Sequence, residues 1–206
     1  MASLNYSVSV GGISSSRTIS GDDKIETDVT LPAGKAVTGW TKTDSNTAAA
    51  TLPGGHGYTN GKFDVYWSGG RRYGVDGTIS TNALSLDGGT GDAFPASSTT
   101  GVVVTKQVVT NKTIDGDALS ILAVNYEQAD TSDLGCRVTF FDDVDAGGSE
   151  VGSGHDLDRN TPSICDVDAG ATNLYTGSVI RSLVASNGSS TTAAVLKLRG
   201  IQDVTQ

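Results

Sequence analysis

The sequence predicts an all-β protein, and three observations carry this prediction. No window of a dozen residues sustains the i, i+3, i+4, i+7 apolar spacing of an amphipathic helix. Several short runs instead alternate apolar and polar residues, as a strand with one buried face does. The chain also has 27 glycines but only 4 prolines, which is typical of many tight turns rather than of a proline-rich linker.

In the first half, short alternating or β-branched runs separated by Gly, Pro or Asn predict the strands. They begin with an alternating strand over 4–10, followed by apolar residues at Ile13 and Ile19 and by a further set, Ile25, Val29 and Leu31, that ends at the turn over 32–34. Another short strand covers 37–43, and a brief strand precedes Pro53 in a mostly loop-like stretch over 44–57.

The segment KFDVYWSGGRRYGVDGTISTNALSLDGG over 62–89 predicts a β-meander. Phe63, Val65 and Trp67 alternate with Asp64 and Tyr66, so the first three are expected on a core face and the other two on the opposite face.

Three glycine- or asparagine-containing sites in and beside the meander predict its turns. Ser68-Gly69-Gly70 and Thr81-Asn82 are expected to separate its strands. Asn60-Gly61 is the strongest short hairpin signal in the chain, because both residues tolerate the positive φ of a type I′ turn.

The second half contains another series of predicted strands, at residues 102–109, 118–126, 136–141, 174–184 and 193–199. The small-residue run over 96–101 is the best candidate boundary. We therefore expect two β domains: residues 1–98 as a β-meander with barrel-like character, and residues 102–206 as a β-sandwich of the jelly-roll type.

The net charge of −9 argues against binding to a nucleic-acid backbone, which requires clustered Lys and Arg. Residues 127–168 hold eleven carboxylates against Arg137 and Arg159. This acidity indicates either a solvated acidic face or metal binding.

Two DVDAG segments, at 143–147 and 166–170, resemble the start of a calcium loop. The bidentate Glu that such a loop needs at its twelfth position is replaced by Gly154 and Gly177. Asp-rich turns are therefore favoured, and no metal is predicted. If a metal does bind, the first candidates are Asp143, Asp145, Asp156 and Asp158.

No constellation predicts catalysis or a cofactor. His56 and His155 lie in glycine-rich loops without partners nearby in sequence. A glycosidase pair of carboxylates is defined by separation in space, so the many acids do not indicate one. Among the aromatic residues, Trp40, Tyr58 and Tyr73 could form a sugar platform, but core packing is favoured. The Arg71-Arg72 pair suits an intersubunit salt bridge.

The N-terminus lacks the basic start and apolar core of an export signal, and no run of residues approaches a membrane span. Cys136 and Cys165 are the only cysteines. Both a disulfide between them and two buried free thiols stay open.

The block FDVYWSGGRRYGVDGTISTNALSLDGGTGDAFP, followed by ALSILAVNYEQ and CRVTFFDDVDAGG, resembles small β-rich virion proteins of tailed bacteriophages and prophages. The resemblance implies a non-enzymatic subunit, such as a head decoration protein or a minor virion protein. It would associate with itself and with the major capsid protein in virions assembled in the host cytoplasm.

In such a protein we expect the N-terminal strands and the 44–60 loop to make assembly contacts. A phage tail protein is an alternative, as is a secreted adhesin or carbohydrate-binding module. A calcium-dependent or glycan-cleaving enzyme is a third class that the sequence disfavours.

Overall fold

The computed structural model describes residues 4–10, 13–19, 24–111, 119–158, 163–164 and 180–202. It confirms the all-β class: the described residues form antiparallel sheets, with one 3₁₀ turn at Val144–Ala146. Within these ranges, no helix is long or apolar enough to cross a membrane.

The described strands are β1 Leu4–Val10, β2 Ile13–Ile19, β3 Lys24–Leu31, β4 Lys35–Ala36, β5 Gly39–Lys42, β6 Thr47–Thr51, β7 Gly61–Trp67, β8 Gly70–Ser80, β9 Ala83–Asp87, β10 Val103–Lys106, β11 Val108–Asn111, β12 Leu119–Glu127, β13 Cys136–Phe141, β14 Glu150–Leu157, β15 Ser163–Ile164, β16 Ser182–Asn187 and β17 Ala194–Gln202.

These strands form four sheets. β1 and β2 make a two-stranded hairpin of their own, and seven strands form a sheet in the order β4-β10-β7-β8-β9-β6-β5, curled as a half-barrel. Two four-stranded sheets have the orders β11-β16-β13-β14 and β15-β12-β17-β3.

The predicted meander is confirmed, because β7, β8 and β9 are consecutive neighbours joined by two-residue turns. The hairpin predicted at Asn60-Gly61 is wrong. The strand before it, β6, pairs with β5 and β9 rather than with β7. Gly61 does take a positive φ of 147°, but Asn60 acts by accepting a hydrogen bond from the Ile79 amide at 2.8 Å.

The apolar residues divide into two cores. The first lies within the seven-stranded sheet and contains Trp40, Phe63, Val65 and Val75, with Phe94 from the loop after β9. The two four-stranded sheets share the second core, to which one contributes residues such as Phe140 and Leu183 and the other residues such as Tyr126 and Leu196.

The chain crosses between these cores twice. β3 precedes residue 98 but pairs along its length with β17. β10 follows residue 102 but pairs with β7 and β4. The run at 96–101 is thus a loop between two strands of the seven-stranded sheet, and the crossings lie at residues 32–34 and at Gln107.

Candidate functional site: the junction between the sheets

β7 is buried on both faces, and its second face forms the junction with the β11-β16-β13-β14 sheet. Phe63 and Val65 lie in the first core, whereas Asp64 and Tyr66 are 2% and 0% exposed on the other side. The Tyr66 hydroxyl lies 2.5 Å from Ser186 Oγ, which donates to Asp64 Oδ2 at 2.5 Å. A chain of hydrogen bonds therefore joins the two sheets.

Asp64 is a buried carboxyl group with several hydrogen-bond donors around it. Its Oδ1 accepts hydrogen bonds from the Gly74 amide and from Gln107 Nε2, both at 2.8 Å. Burial raises the pKa of this carboxyl, while the bonds from Ser186, Gly74 and Gln107 act in the opposite direction. The balance favours the protonated form relative to an exposed aspartate.

Asn187, the next residue along β16, is a second buried link. Its Oδ1 accepts from the Ser189 amide at 2.9 Å, and its Nδ2 donates to the Thr192 carbonyl at 2.8 Å. Its own carbonyl accepts from Thr105 Oγ1 of β10 at 2.7 Å. Each of these groups has a partner, as buried polar groups require, so Asn187 links β16 to β10 and to the loop that follows β16.

A charged cluster lies at the rim of the junction. The guanidinium carbon of Arg137 is 4.6 Å from the centroid of the Tyr73 ring, a cation–π contact. The Tyr73 hydroxyl donates to Asp156 Oδ1 at 2.6 Å. Arg137 and Arg71 approach that same oxygen at 3.6 and 3.8 Å. The Asp156 carboxylate thus contacts two arginines and links β8 to β13 and β14.

A groove of about 320 Å³ opens beside this cluster. One wall comes from β7 and β8, including Lys62 and Tyr73. The other is the outer face of β13, where Arg137, Thr139 and Phe141 alternate with buried core residues. The groove therefore combines charged ends with a partly apolar floor, which suits binding of an extended or small ligand.

The junction holds two nucleophilic groups that are fully enclosed. Cys136 is 0% and Ser186 1% exposed, and burial raises the pKa of the Cys136 thiol well above its usual value. His155 is nearby on β14, and burial together with Arg137 lowers its pKa. In their observed positions, Cys136 and Ser186 contact protein groups rather than a space that a substrate could enter.

The four candidate metal ligands lie at opposite ends of the β13–β14 hairpin. Asp143 accepts from the Val144 amide and Asp145 from Asn111 Nδ2, at the end where Phe141 pairs with Glu150. Asp156 and Asp158 lie at the other end of the hairpin, where Cys136 pairs with Leu157. Across the described part of the chain, no group of three or more His, Cys, Asp or Glu side chains could hold a metal ion.

The three rings considered as a sugar platform have separate surroundings. Trp40 is 9% exposed and donates to the Pro95 carbonyl at 3.1 Å. Tyr58 donates to the Val104 carbonyl at 3.2 Å, and burial raises its pKa to about 12. Tyr73 is covered by Arg137. These contacts place the rings in packing roles.

The remaining predicted residues have ordinary structural contacts. His56 Nε2 lies 2.9 Å from the Thr81 carbonyl. Arg72 is 4% exposed and donates to the Gly88 carbonyl at 2.6 Å, so it holds the loop after β9 rather than a subunit contact. Cys136 is a free thiol. Cys165 and the segment 166–170 lie outside the described residues.

Sequence reasoning missed the residues that build the junction, namely Asp64, Gln107, Ser186 and Asn187. Their one signal in the sequence is polarity inside apolar strands: Asp within FDVYW and Ser-Asn at the end of SLVASN. No protein-family model matches the chain, and no curated protein or solved structure matches it.

Proposed function

We propose that this protein is a non-enzymatic structural subunit of a bacteriophage virion, most specifically a head decoration protein. The observation that carries the proposal is the β1–β2 hairpin, which pairs with no other described strand. An isolated two-stranded hairpin is marginally stable in water. Contact with a neighbouring molecule would stabilise the hairpin and would explain why the chain has one.

The residue content of the hairpin supports a docking role. Its register pairs Leu4 with Ile19 and Val10 with Ile13, whereas Ser7 and Ser9 pair with Ser16 and Ser14. Leu4, Tyr6, Val8 and Val10 alternate with polar residues in the sequence, a pattern typical of a strand with one apolar face. Such a face is a site for assembly contacts.

The junction also supports a structural role. Many-copy assemblies hold together through repeated modest contacts, which requires subunits of fixed shape. The bonds of Asp64, Ser186 and Asn187 fix the two cores relative to each other. The resemblance of the 63–95 block and the segments after it to virion proteins points the same way.

The proposal includes a finer description of the fold. The seven-stranded sheet corresponds to the barrel-like unit predicted for residues 1–98, but it lacks β1, β2 and β3 and gains β10. The two four-stranded sheets are the jelly-roll-like sandwich predicted for residues 102–206, with β3 added. The partners are further copies of this chain and the major capsid protein, in virions assembled in the host cytoplasm.

The proposal is tested by size-exclusion chromatography with light scattering and negative-stain imaging, followed by incubation with undecorated capsids. We expect oligomers, sheets or capsid-bound protein. Rings or tubes would move the assignment to the tail. A monomer that binds neither itself nor a capsid or tail would overturn the proposal.

The groove favours one alternative, a secreted carbohydrate-binding module, because its volume of about 320 Å³ and its polar rim suit a sugar. Binding of any glycan with a sub-millimolar Kd by the monomer, together with an exported precursor, would support this alternative.

A further inference from the structure

The outer face of the β11-β16-β13-β14 sheet is covered by the seven-stranded sheet at one end only. Ser186 lies at the covered end, against Asp64 and Tyr66. Two residues earlier on β16, Val184 lines the groove instead. Val184 pairs in register with both Thr139 of β13 and Val109 of β11, so the three residues form a row across the uncovered part. Within this row Val109 is exposed, whereas Val184 is 7% exposed and lies at the bottom of the groove.

This uncovered part, which we term the open face, consists of Val109, Thr139, Phe141, Val144, Ala146 and Val184. Val109 and Val144 are 46% and 47% exposed, the two exposed large apolar residues among those whose side chains the structure describes. Hydrogen bonds between Asn111 and Asp145, in both directions at 2.7 Å, hold the 3₁₀ turn beside β11. The open face is therefore a fixed, partly apolar surface.

The border of the open face is acidic. The exposed residues Asp142, Asp143, Asp145 and Glu150 lie along it, and the sequence from 138 to 150 contains no Lys or Arg. Three cations lie nearby: Arg137 lines the same groove and approaches Asp156 at 3.6 Å, and Lys62 is paired with Asp76 at 2.8 Å. The third is Arg181, whose amide donates to the Phe141 carbonyl at 2.9 Å. A partner for this surface should be apolar and carry positive rather than negative charge.

The β1–β2 hairpin has these properties. Residues 4–19 contain Arg17 and no Asp or Glu, in a chain whose net charge is −9. Apolar residues recur at every second position of β1, and no other described strand pairs with the outer edge of β1 or of β2.

We propose that the open face binds the β1–β2 hairpin of a second copy of this chain. The inference rests on the proposed function, since it names the contact through which copies associate. Burial of the exposed valines against the alternating apolar residues drives the contact. Attraction between Arg17 and the acidic border fixes its orientation.

Two full-length variants, Val8→Cys and Val109→Cys, test the contact when they are mixed under mild oxidation. Because each chain carries one of the cysteines, a cross-link between them joins two molecules. Val8→Cys mixed with Thr41→Cys, an exposed site on β5, is the matched control, and Val8→Cys mixed with unchanged protein reports any reaction with the native cysteines. We expect several-fold more cross-linked dimer from the first mixture than from either control.

Val109→Asp gives a second measurement, with Thr41→Asp as its control. We expect Val109→Asp to lose the assembled species in light scattering without a change in Tm. Assembly with cross-linking no greater than in the controls would overturn this inference and leave the proposed function standing. A monomer in every fraction, with no cross-link, would overturn this inference, and it would overturn the proposed function as well if that monomer also bound neither a capsid nor a tail.

Discussion

Asp64 is the residue at which the junction depends most on one particular side chain. The carboxyl is buried, with Ser186, Gly74 and Gln107 as hydrogen-bond donors. Tyr66 and Cys136 are the buried titratable groups beside it, and Arg137 is the nearby cation. Its ionisation therefore affects stability.

The first prediction is the pH dependence of stability in Asp64→Asn. The pKa of Asp64 is raised in the folded protein above the value of about 3.9 expected when unfolded. The contribution of Asp64 to stability is therefore complete below the unfolded pKa. It is lost as pH rises through the folded pKa, because between the two pKa values the folded state keeps a proton that the unfolded state releases. Asp64→Asn has no carboxyl group at this position, so its stability does not fall for this reason as pH rises.

The measurement is Tm from pH 4 to pH 8. We expect the Tm of Asp64→Asn minus that of the unchanged protein to increase with pH. Asp76→Asn is the matched control, because Asp76 is exposed and paired with Lys62, and its difference should stay flat or decrease. Parallel curves for the two variants would contradict the role given to Asp64.

The second prediction concerns Ser186→Ala, which removes the hydroxyl between Tyr66 and Asp64. Both groups would stay buried with a lost partner, so we expect a loss of about 2 kcal/mol in the free energy of unfolding. Ser85→Ala, at an exposed position of β9, should change it by less than about 0.5 kcal/mol. Urea denaturation measures both, and equal small losses would mean that the junction is not held by this chain of bonds.

The sequence could not have predicted this junction from local patterns. Alternation in FDVYW correctly separated Phe63 and Val65 from Asp64 and Tyr66. A period of two identifies two faces but does not reveal that a second sheet covers the polar one. Two of the three hydrogen-bond donors to Asp64, Gln107 and Ser186, are 43 and 122 residues away, and no local signal specifies such separations.

At the scale of elements, turn chemistry carried most of the successful prediction. Ser68-Gly69 and Thr81-Asn82 joined neighbouring strands as expected, because their residues favour tight turns. Asn60-Gly61 has equally good chemistry, but the strands on either side of it are not neighbours in the sheet. The pairing of β3 with β17 is likewise a long-range contact, and it depends on the core that the two four-stranded sheets share.

The third prediction tests packing between neighbouring strands through Gly77 of β8. A Cβ there would lie 2.3 Å from Cδ2 of Phe63, a residue that is 0% exposed. We expect Gly77→Ala to cost about 2 kcal/mol through overpacking. Gly54→Ala is the control, since nothing lies within 4 Å of its added Cβ. A neutral Gly77→Ala in thermal and urea denaturation would show that β7 and β8 are less closely packed.

The fourth prediction separates the hairpin from the fold. A chain that starts at Lys24 lacks β1 and β2 but keeps β3, so we expect its Tm to stay close to that of the full chain. A chain that starts at Pro32 also loses Val29 and Leu31, which are 5% and 0% exposed in the shared core. That variant should lose its cooperative transition in near-UV circular dichroism. Equal stability of the two shortened chains would exclude β3 from the core.

At the scale of the whole molecule, two β cores share a hydrogen-bonded junction, and the hairpin of β1 and β2 pairs with no other described strand. Composition and turn pattern were sufficient to predict the all-β class. The arrangement of the sheets depends on contacts between residues far apart in sequence. The assembly proposal depends on the same arrangement, because it is the topology that leaves the hairpin unpaired.

The most direct test of the assembly proposal is the mass in solution of the full chain and of the chain starting at Lys24, measured by sedimentation velocity at matched concentrations. We expect a multimer for the full chain and a folded monomer for the shortened one. Equal masses for the two chains, whether monomeric or multimeric, would contradict the claim that the hairpin is the element through which copies assemble.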